Sequence, residues 1–198
     1  MSNQNIIQQG AEAVITLEKN QIHKNRIKKS YRYKDLDQKL RKRRTKAEAK
    51  IIGKLQNIIP VPKIMETDDK ENIVMEYIEG KKLSNHLENL DYKTICKQIA
   101  ENLSKLHDQD IVHGDLTTSN MILKDNQVYF IDFGLGFHSS KIEDKAVDLH
   151  LIKQALEAKH FKISNQAIKI ILDNYSAEKS KEIIERINAI EKRGRYRH

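Results

Sequence analysis

At 198 residues the chain has room for one domain, or for two small lobes sharing a cleft. Hydrophobic residues make up 38% and charged residues 32%, and no run approaches the roughly 18 consecutive apolar residues of a membrane span, so no membrane partner is expected. The single cysteine, Cys96, rules out an internal disulfide; with a beginning unlike a signal peptide it points to a reducing, cytoplasmic setting and a buried structural thiol.

Net charge is +8 and unevenly spread. Residues 19–50 hold 14 Lys/Arg against 3 Asp/Glu, residues 51–191 hold 18 against 23, and the last seven residues add four more cations. A solvated helix face with a frayed tail would explain this, but two such concentrations also suit a polyanion, either nucleotide phosphates or RNA.

In chain order, Ala13–Leu17 and Ile22–Ile27 read as strands joined by a polar turn at Glu18-Lys19-Asn20-Gln21. A charged helix is expected from Asp35 to Leu55, with Leu36, Leu40, Ala47, Ile51 and Leu55 on one side, closed off by Pro60 and Pro62. Asn72–Ile78 reads as a strand and Glu79-Gly80-Lys81-Lys82 as a hinge. Ile95, Ile99, Leu103 and Leu106 mark an amphipathic helix over 94–109. A hairpin follows, Met121–Leu123 and Val128–Ile131 around Lys124-Asp125-Asn126-Gln127, and then helices near 144–158, 165–174 and 178–192. The fold class is therefore α+β, with a strand-rich N-lobe over residues 1–78 and a reduced helical C-lobe over 79–198. The cleft between them is the expected ligand site.

The chemistry-bearing letters are His113-Gly114-Asp115-Leu116-Thr117-Thr118-Ser119-Asn120 and Ile131-Asp132-Phe133-Gly134. They resemble the catalytic loop and metal-binding turn of protein kinases. Phosphoryl transfer needs a triphosphate held in line with its acceptor and metal ions to neutralise developing charge. On that pattern Asp132 and Asn120 are hard-oxygen ligands for Mg2+, and Asp115 accepts the proton of the attacking hydroxyl or orients a water. Lys24 matches the lysine that holds the nucleotide phosphates, with Glu48 as its ion-pair partner and Arg26 as a competitor for that place. Gln9-Gly10-Ala11-Glu12-Ala13 stands where a glycine-rich loop would cover phosphates. Met75-Glu76-Tyr77-Ile78 is expected to meet adenine through its backbone, and Asp148 to brace the catalytic loop. The cofactors expected are ATP and Mg2+.

Taken together, these stretches are similar to the small atypical serine/threonine kinase family of the KEOPS complex (the Bud-type kinases). The likeness adds Lys29-Ser30-Tyr31-Arg32, Leu36-Asp37, Arg44-Thr45, Gly136, the run Asp144-Lys145-Ala146-Val147-Asp148-Leu149 and Arg193-Gly194-Arg195-Tyr196. The resemblance covers essentially the whole chain. It implies ATP hydrolysis or serine self-phosphorylation in support of threonylcarbamoyl-adenosine modification of tRNA. It also implies contacts with the threonylcarbamoyl-transferring subunit and a small partner subunit. The basic stretch Lys24–Lys50 and the tail Arg193–His198 then become candidates for contact with the tRNA or a partner subunit, and charge reversal in Arg41-Lys42-Arg43-Arg44 is expected to weaken RNA or partner association while sparing basal ATPase activity.

Gly114 replaces the arginine of ordinary kinases, Thr117 stands where many have a lysine, and only a short segment separates Gly134 from Asp148. A general protein-kinase role is thereby weakened. The competing readings are a non-catalytic kinase-fold scaffold binding partner subunits and tRNA, and a kinase of aminoglycoside or choline type. The first is disfavoured because Lys24, Asp115 and Asp132 are all present. The second is disfavoured because the large helical insert such substrates require is missing.

Overall fold

The structure, a computed structural model, describes residues 5–10 and 12–195. A five-stranded antiparallel sheet comes first, built from β1 (Asn5–Gln9), β2 (Ala13–Glu18), β3 (Gln21–Arg26), β4 (Ile64–Thr67) and β5 (Asn72–Glu76) in the order β1-β2-β3-β5-β4. The β2–β3 hairpin closes at Lys19 and Asn20, both with positive φ (49° and 64°), the geometry a two-residue turn needs to match strand twist. Strands β1 and β4 were not legible in the sequence. Each lies at a sheet edge and carries a register shift, and Ile6 and Ile7 of β1 are exposed, so neither shows clean alternation.

Helix α1 (Lys34–Leu55) has the predicted extent but not the predicted face. Leu36 is 52% exposed, whereas the buried positions are Asp37, Thr45, Glu48, Ile51, Ile52 and Leu55. The stripe begins polar because Asp37 meets the Lys29 amide, Arg32 and Arg41, stays polar where Glu48 faces Lys24 and Arg26 of β3, and is apolar only at its end. There Ile51, Ile52 and Leu55 join the main core with Leu103, Leu106 and Phe133. Side chains of this size contribute roughly 1.5–3 kcal/mol each when fully buried, so the C-terminal half of α1 is anchored far more firmly than surface pairs could manage. The helix ends at Leu55, five residues before Pro60, so the prolines follow its end without causing it.

From β5 the chain passes through residues 77–80 into β6 (Lys81–Lys82), which pairs with β8 (Met121–Lys124). The expected hinge is thus tied at its far end to the second sheet, β6-β8-β9, where β9 is Gln127–Phe130. A Cβ at Gly80 would lie 2.4 Å from the Leu123 carbonyl oxygen, so only glycine allows this approach. A short helix α2 (Leu83–His86) precedes α3 (Tyr92–Asp108). Asp91 caps α3 by accepting from the Thr94 amide, and Ile95, Ile99, Leu103 and Leu106 are all buried on one side. The two-residue strands β7 (Ile111–Val112) and β10 (Phe137–His138) pair with each other and bracket the motif residues between them. Helices α4 (Ile142–Lys159), α5 (Ser164–Asn174) and α6 (Ser180–Arg195) complete the helical lobe, α5 against α3 and α6 against α4. Cys96 is fully buried in α3, which pushes its thiol up to about 12.

Candidate active site

The lower half of the site grows out of the β8–β9 hairpin. Its turn residues Asp125 and Asn126 have positive φ (49° and 58°), so the second strand returns the chain directly beside Asn120. The Ile131 amide donates to the Asn120 carbonyl at 3.0 Å, and Asp132 follows with φ of 60°. The Asn120 amide nitrogen donates to the Asp115 backbone oxygen at 2.8 Å and to its carboxylate at 2.9 Å, which turns the amide oxygen away from Asp115.

Beneath these residues the catalytic loop is held by buried groups. His113 meets the Ile131 carbonyl through Nε2 at 3.1 Å, accepts from the Asp115 amide through Nδ1 at 3.3 Å, and packs on Phe133 at 4.6 Å between ring centroids. Asp148 accepts from the His113 and Gly114 amides at 2.6 and 2.9 Å, the bracing role anticipated for it. Its carboxylate also meets His107 Nε2 at 3.3 Å, and His107 Nδ1 lies 2.6 Å from the Tyr175 hydroxyl. Burial pushes that hydroxyl far above its ordinary range, so it stays protonated beside the imidazole. Gly114 has φ of 77°, and a Cβ there would lie 2.5 Å from the Leu135 carbonyl oxygen. The glycine that displaces the usual arginine is therefore demanded by the backbone.

The upper half is assembled from β3 and α1. Alternation along β3 puts Lys24 and Arg26 on the same, inner face. Lys24 Nζ donates to Glu48 Oε1 at 2.6 Å and to Asp132 Oδ1 at 2.8 Å. Arg26 donates to Glu48 Oε2 at 2.5 Å, so the expected competitor shares the glutamate without displacing the lysine. Burial works against the charge on Lys24, but the carboxylates of Glu48 and Asp132 outweigh it and hold its pKa above the usual lysine range. At Asp132 burial is likewise outweighed, chiefly by the Lys24 charge, and the carboxyl is held below its ordinary value. A Cβ at Gly134 would lie 3.0 Å from Asp132 Oδ1 and 3.2 Å from Arg26 Nη2, tight against two side chains already held in ion pairs.

A cavity of about 230 Å³ lies between these halves. Of the predicted residues, Gly10, Glu12, Ala13, Lys24, Asp115 and Asp132 line it. Glu48 and Asn120 stand behind its walls, bonded to Lys24 and Asp115 respectively. Gln9 is exposed on β1, and Ala11 lies outside the described residues. Met75, Glu76, Tyr77 and Ile78 are not among its lining residues; Met75 and Ile78 are buried, and the Glu76 side chain turns to the Lys63 amide at 3.3 Å and to Lys124 at 3.7 Å.

Of the charged residues that line the cavity, sequence reasoning weighed Arg26 only as a competitor for the place of Lys24 and gave Arg44 no part in the site. Arg26 is buried with its Nε atom lacking a hydrogen-bond partner, and Arg44 reaches the cavity from α1. Arg44 meets Glu12 at 2.7 Å and Arg32 meets the other oxygen of that carboxylate at 3.3 Å. Arg41 is tied to Asp37 at 2.8 Å and to Glu71. The basic run 41–44 is thus divided between paired arginines and the exposed Lys42 and Arg43. The signal that marks Arg44 is its position one turn before Glu48 on the same helical face.

A model of the protein kinase domain matches residues 3–153. The chain is 44% identical to the KEOPS complex subunit Bud32 of Pyrococcus abyssi, an alignment covering 97% of this chain and 96% of that protein. It is 39% identical to a probable serine/threonine-protein kinase BUD32 homolog of Archaeoglobus fulgidus, covering 94% of each. A probable bifunctional tRNA threonylcarbamoyladenosine biosynthesis protein of Methanobrevibacter smithii is 42% identical over 98% of this chain, which spans 37% of that longer protein. Among solved structures, the Rio2 kinase–ADP/Mg2+–phosphoaspartate complex of Chaetomium thermophilum superposes with a TM-score of 0.62, covering 96% of this chain and 70% of the other. At 14% identity that likeness speaks for the fold alone.

Proposed function

The chain belongs to the protein kinase family, and within it to the Bud32-type kinases of the KEOPS complex, and from that membership we propose that it binds Mg·ATP in the cavity between the lobes. There it transfers the terminal phosphate to serine or to water, in support of threonylcarbamoyl-adenosine formation on tRNA. The observation that carries the catalytic reading is the placement of Lys24 Nζ between Glu48 and Asp132, at 2.6 and 2.8 Å, on a cavity that also opens onto Asp115.

The donor set fits the expected ligand. Asp132, with 43% of its side chain exposed, and the amide oxygen of Asn120, turned away from Asp115, are hard oxygen ligands. Among the described residues no group of three or more His, Cys, Asp and Glu could cage a metal alone, so the remaining ligands would come from phosphates and water. Magnesium, when bound, neutralises charge on the phosphates. Lys24, aimed by Glu48, holds the phosphates nearest adenine. Asp115, held by the Asn120 amide, takes the proton of the attacking hydroxyl. The backbone of residues 75–78 is the proposed adenine edge, and the boundary between lobes falls after Ile78.

The family also frames the partners. The reading assigns this chain a threonylcarbamoyl-transferring subunit and a small subunit as neighbours, in a cytoplasmic complex. No helix among the described residues is long and apolar enough to cross a membrane. tRNA contact falls to the exposed cations Lys28, Lys34, Lys39, Lys42, Arg43 and Lys50, and should weaken steeply with salt. Arg44 leaves that set because it faces the cavity, so reversal of the whole 41–44 run no longer spares the ATPase site. Of the C-terminal tail, residues 193–195 continue α6 and residues 196–198 lie outside the described residues.

The deciding experiment supplies ATP labelled on its terminal phosphate to wild type and Asp132→Ala in magnesium. Turnover should be lost in the variant, and the division of label between protein and free phosphate separates kinase from ATPase action. Equal turnover in the two proteins overturns the assignment. Absence of turnover in both favours the scaffold reading, in which the fold serves only to bind partner subunits and tRNA.

A further inference from the structure

We propose that Arg44 reads the terminal phosphate: it exchanges Glu12 for the third phosphate of a bound nucleoside triphosphate, and so distinguishes triphosphate from diphosphate. This rests on the nucleotide reading above and adds a specificity residue to it.

Three cations line the cavity, and their commitments differ. Lys24 is fixed between Glu48 and Asp132, and Arg26 is buried against Glu48. Arg44 is held by Glu12, a carboxylate 45% exposed on the turn after Gly10. That pair ties the phosphate-covering loop to α1 at 2.7 Å, across 32 positions of sequence. An acid is an odd occupant of such a loop. Glu12 lines the same cavity as Asp115 and Asp132, so an incoming phosphate chain meets three carboxylates there.

Part-exposed pairs of this kind are weak, whereas a guanidinium grips a phosphate through two parallel, charge-assisted hydrogen bonds. The exchange therefore runs toward phosphate when one reaches Arg44. Glu12 keeps Arg32, its second partner at 3.3 Å, so its charge is not stranded as Arg44 departs. Arg44 lines the cavity with Asp115 and, unlike Lys24, also borders the space beside Gly134 and Leu135 beyond Asp132; we assign the terminal phosphate to that side, while Lys24 serves the phosphates that a diphosphate also has. A diphosphate leaves the Glu12–Arg44 tie closed, and a triphosphate opens it.

The test is calorimetric titration of the full chain with Mg·ATP and Mg·ADP, for wild type, Arg44→Gln, Arg44→Lys and Glu12→Gln. Arg44→Gln should lose roughly tenfold or more in ATP affinity, the value of a charge-assisted hydrogen bond, with ADP affinity unchanged. Arg44→Lys should recover part of the loss, and Glu12→Gln should bind ATP more tightly relative to ADP because the competitor is neutralised. Equal losses for both nucleotides in Arg44→Gln, or no loss, overturn the inference while the nucleotide site stands. If a melting curve shows that Arg44→Gln does not fold, Glu12→Gln decides alone, and a fall in its ATP preference overturns the exchange. Failure of wild type to bind either nucleotide overturns the underlying reading instead.

Discussion

The two halves of the site are built by different physics. Asp115, Asn120 and Asp132 lie on one continuous stretch, folded back by a hairpin whose positive-φ turn is written into Asp125-Asn126. Their geometry is set by short-range hydrogen bonds and by Asp148 gripping the loop's backbone amides. Gly10, Glu12, Lys24, Arg26, Arg44 and Glu48 come from a loop, a strand and a helix; backbone pairing joins the loop to the strand, and ion pairs spanning 22 to 32 positions of sequence join both to the helix. The lower half is thus a rigid, locally specified platform. The upper half holds its shape only while α1 is docked, and its outer pair, Glu12 with Arg44, is the part that a ligand can rearrange.

The contrast predicts graded responses. The largest stability effect should come from Glu48→Gln, which leaves Lys24 and Arg26 buried without their shared anion. Breaking a buried pair costs about 3–5 kcal/mol, so a denaturant midpoint close to that of wild type would show that the upper half is not held by this pair. Gly114→Ala strikes the platform instead, through the strain of a side chain at φ of 77° and the approach to the Leu135 carbonyl. A loss of about 2 kcal/mol is expected, with turnover falling because Asp115 is the next residue; an unchanged melting temperature would contradict the glycine argument.

The smallest effect is on pH dependence. Burial of His160 keeps its pKa below the ordinary value, with Glu88 opposing and Lys159 assisting, and its Nε2 lies 3.0 Å from the Thr118 hydroxyl. The folded protein therefore binds this proton less readily than the unfolded chain, and stability declines as pH falls below about 6.5. The carboxyls of Asp132 and Asp110 are depressed, Asp132 chiefly by Lys24 against burial and Asp110 chiefly by its hydrogen bond from Lys145. Their contribution is present above about pH 4 and is lost only as pH falls through their lower folded values. Melting temperatures from pH 7 to 3 should fall in two limbs, and His160→Gln should flatten the upper limb alone. An unaltered upper limb would exclude His160 as its source.

What the sequence by itself determined was whatever depends on neighbours in the chain. The meeting of Asp115, Asn120 and Asp132 was legible because these residues lie close together in the chain, the hairpin because its turn chemistry is local, and α3 because its apolar spacing matches a helix packed on one side. Tertiary structure alone decided the rest. The buried face of α1 was misread because the burial of Asp37, Thr45 and Glu48 follows from what β3 and the preceding loop present, which hydrophobic periodicity does not register. The sharing of Glu48 by Lys24 and Arg26, the tie from Glu12 to Arg44, and the absence of residues 75–78 from the cavity wall were likewise invisible. Charges attract at any separation along the chain, and which of 36 Lys/Arg meets which of 28 Asp/Glu is settled only when the sheet and α1 have packed together.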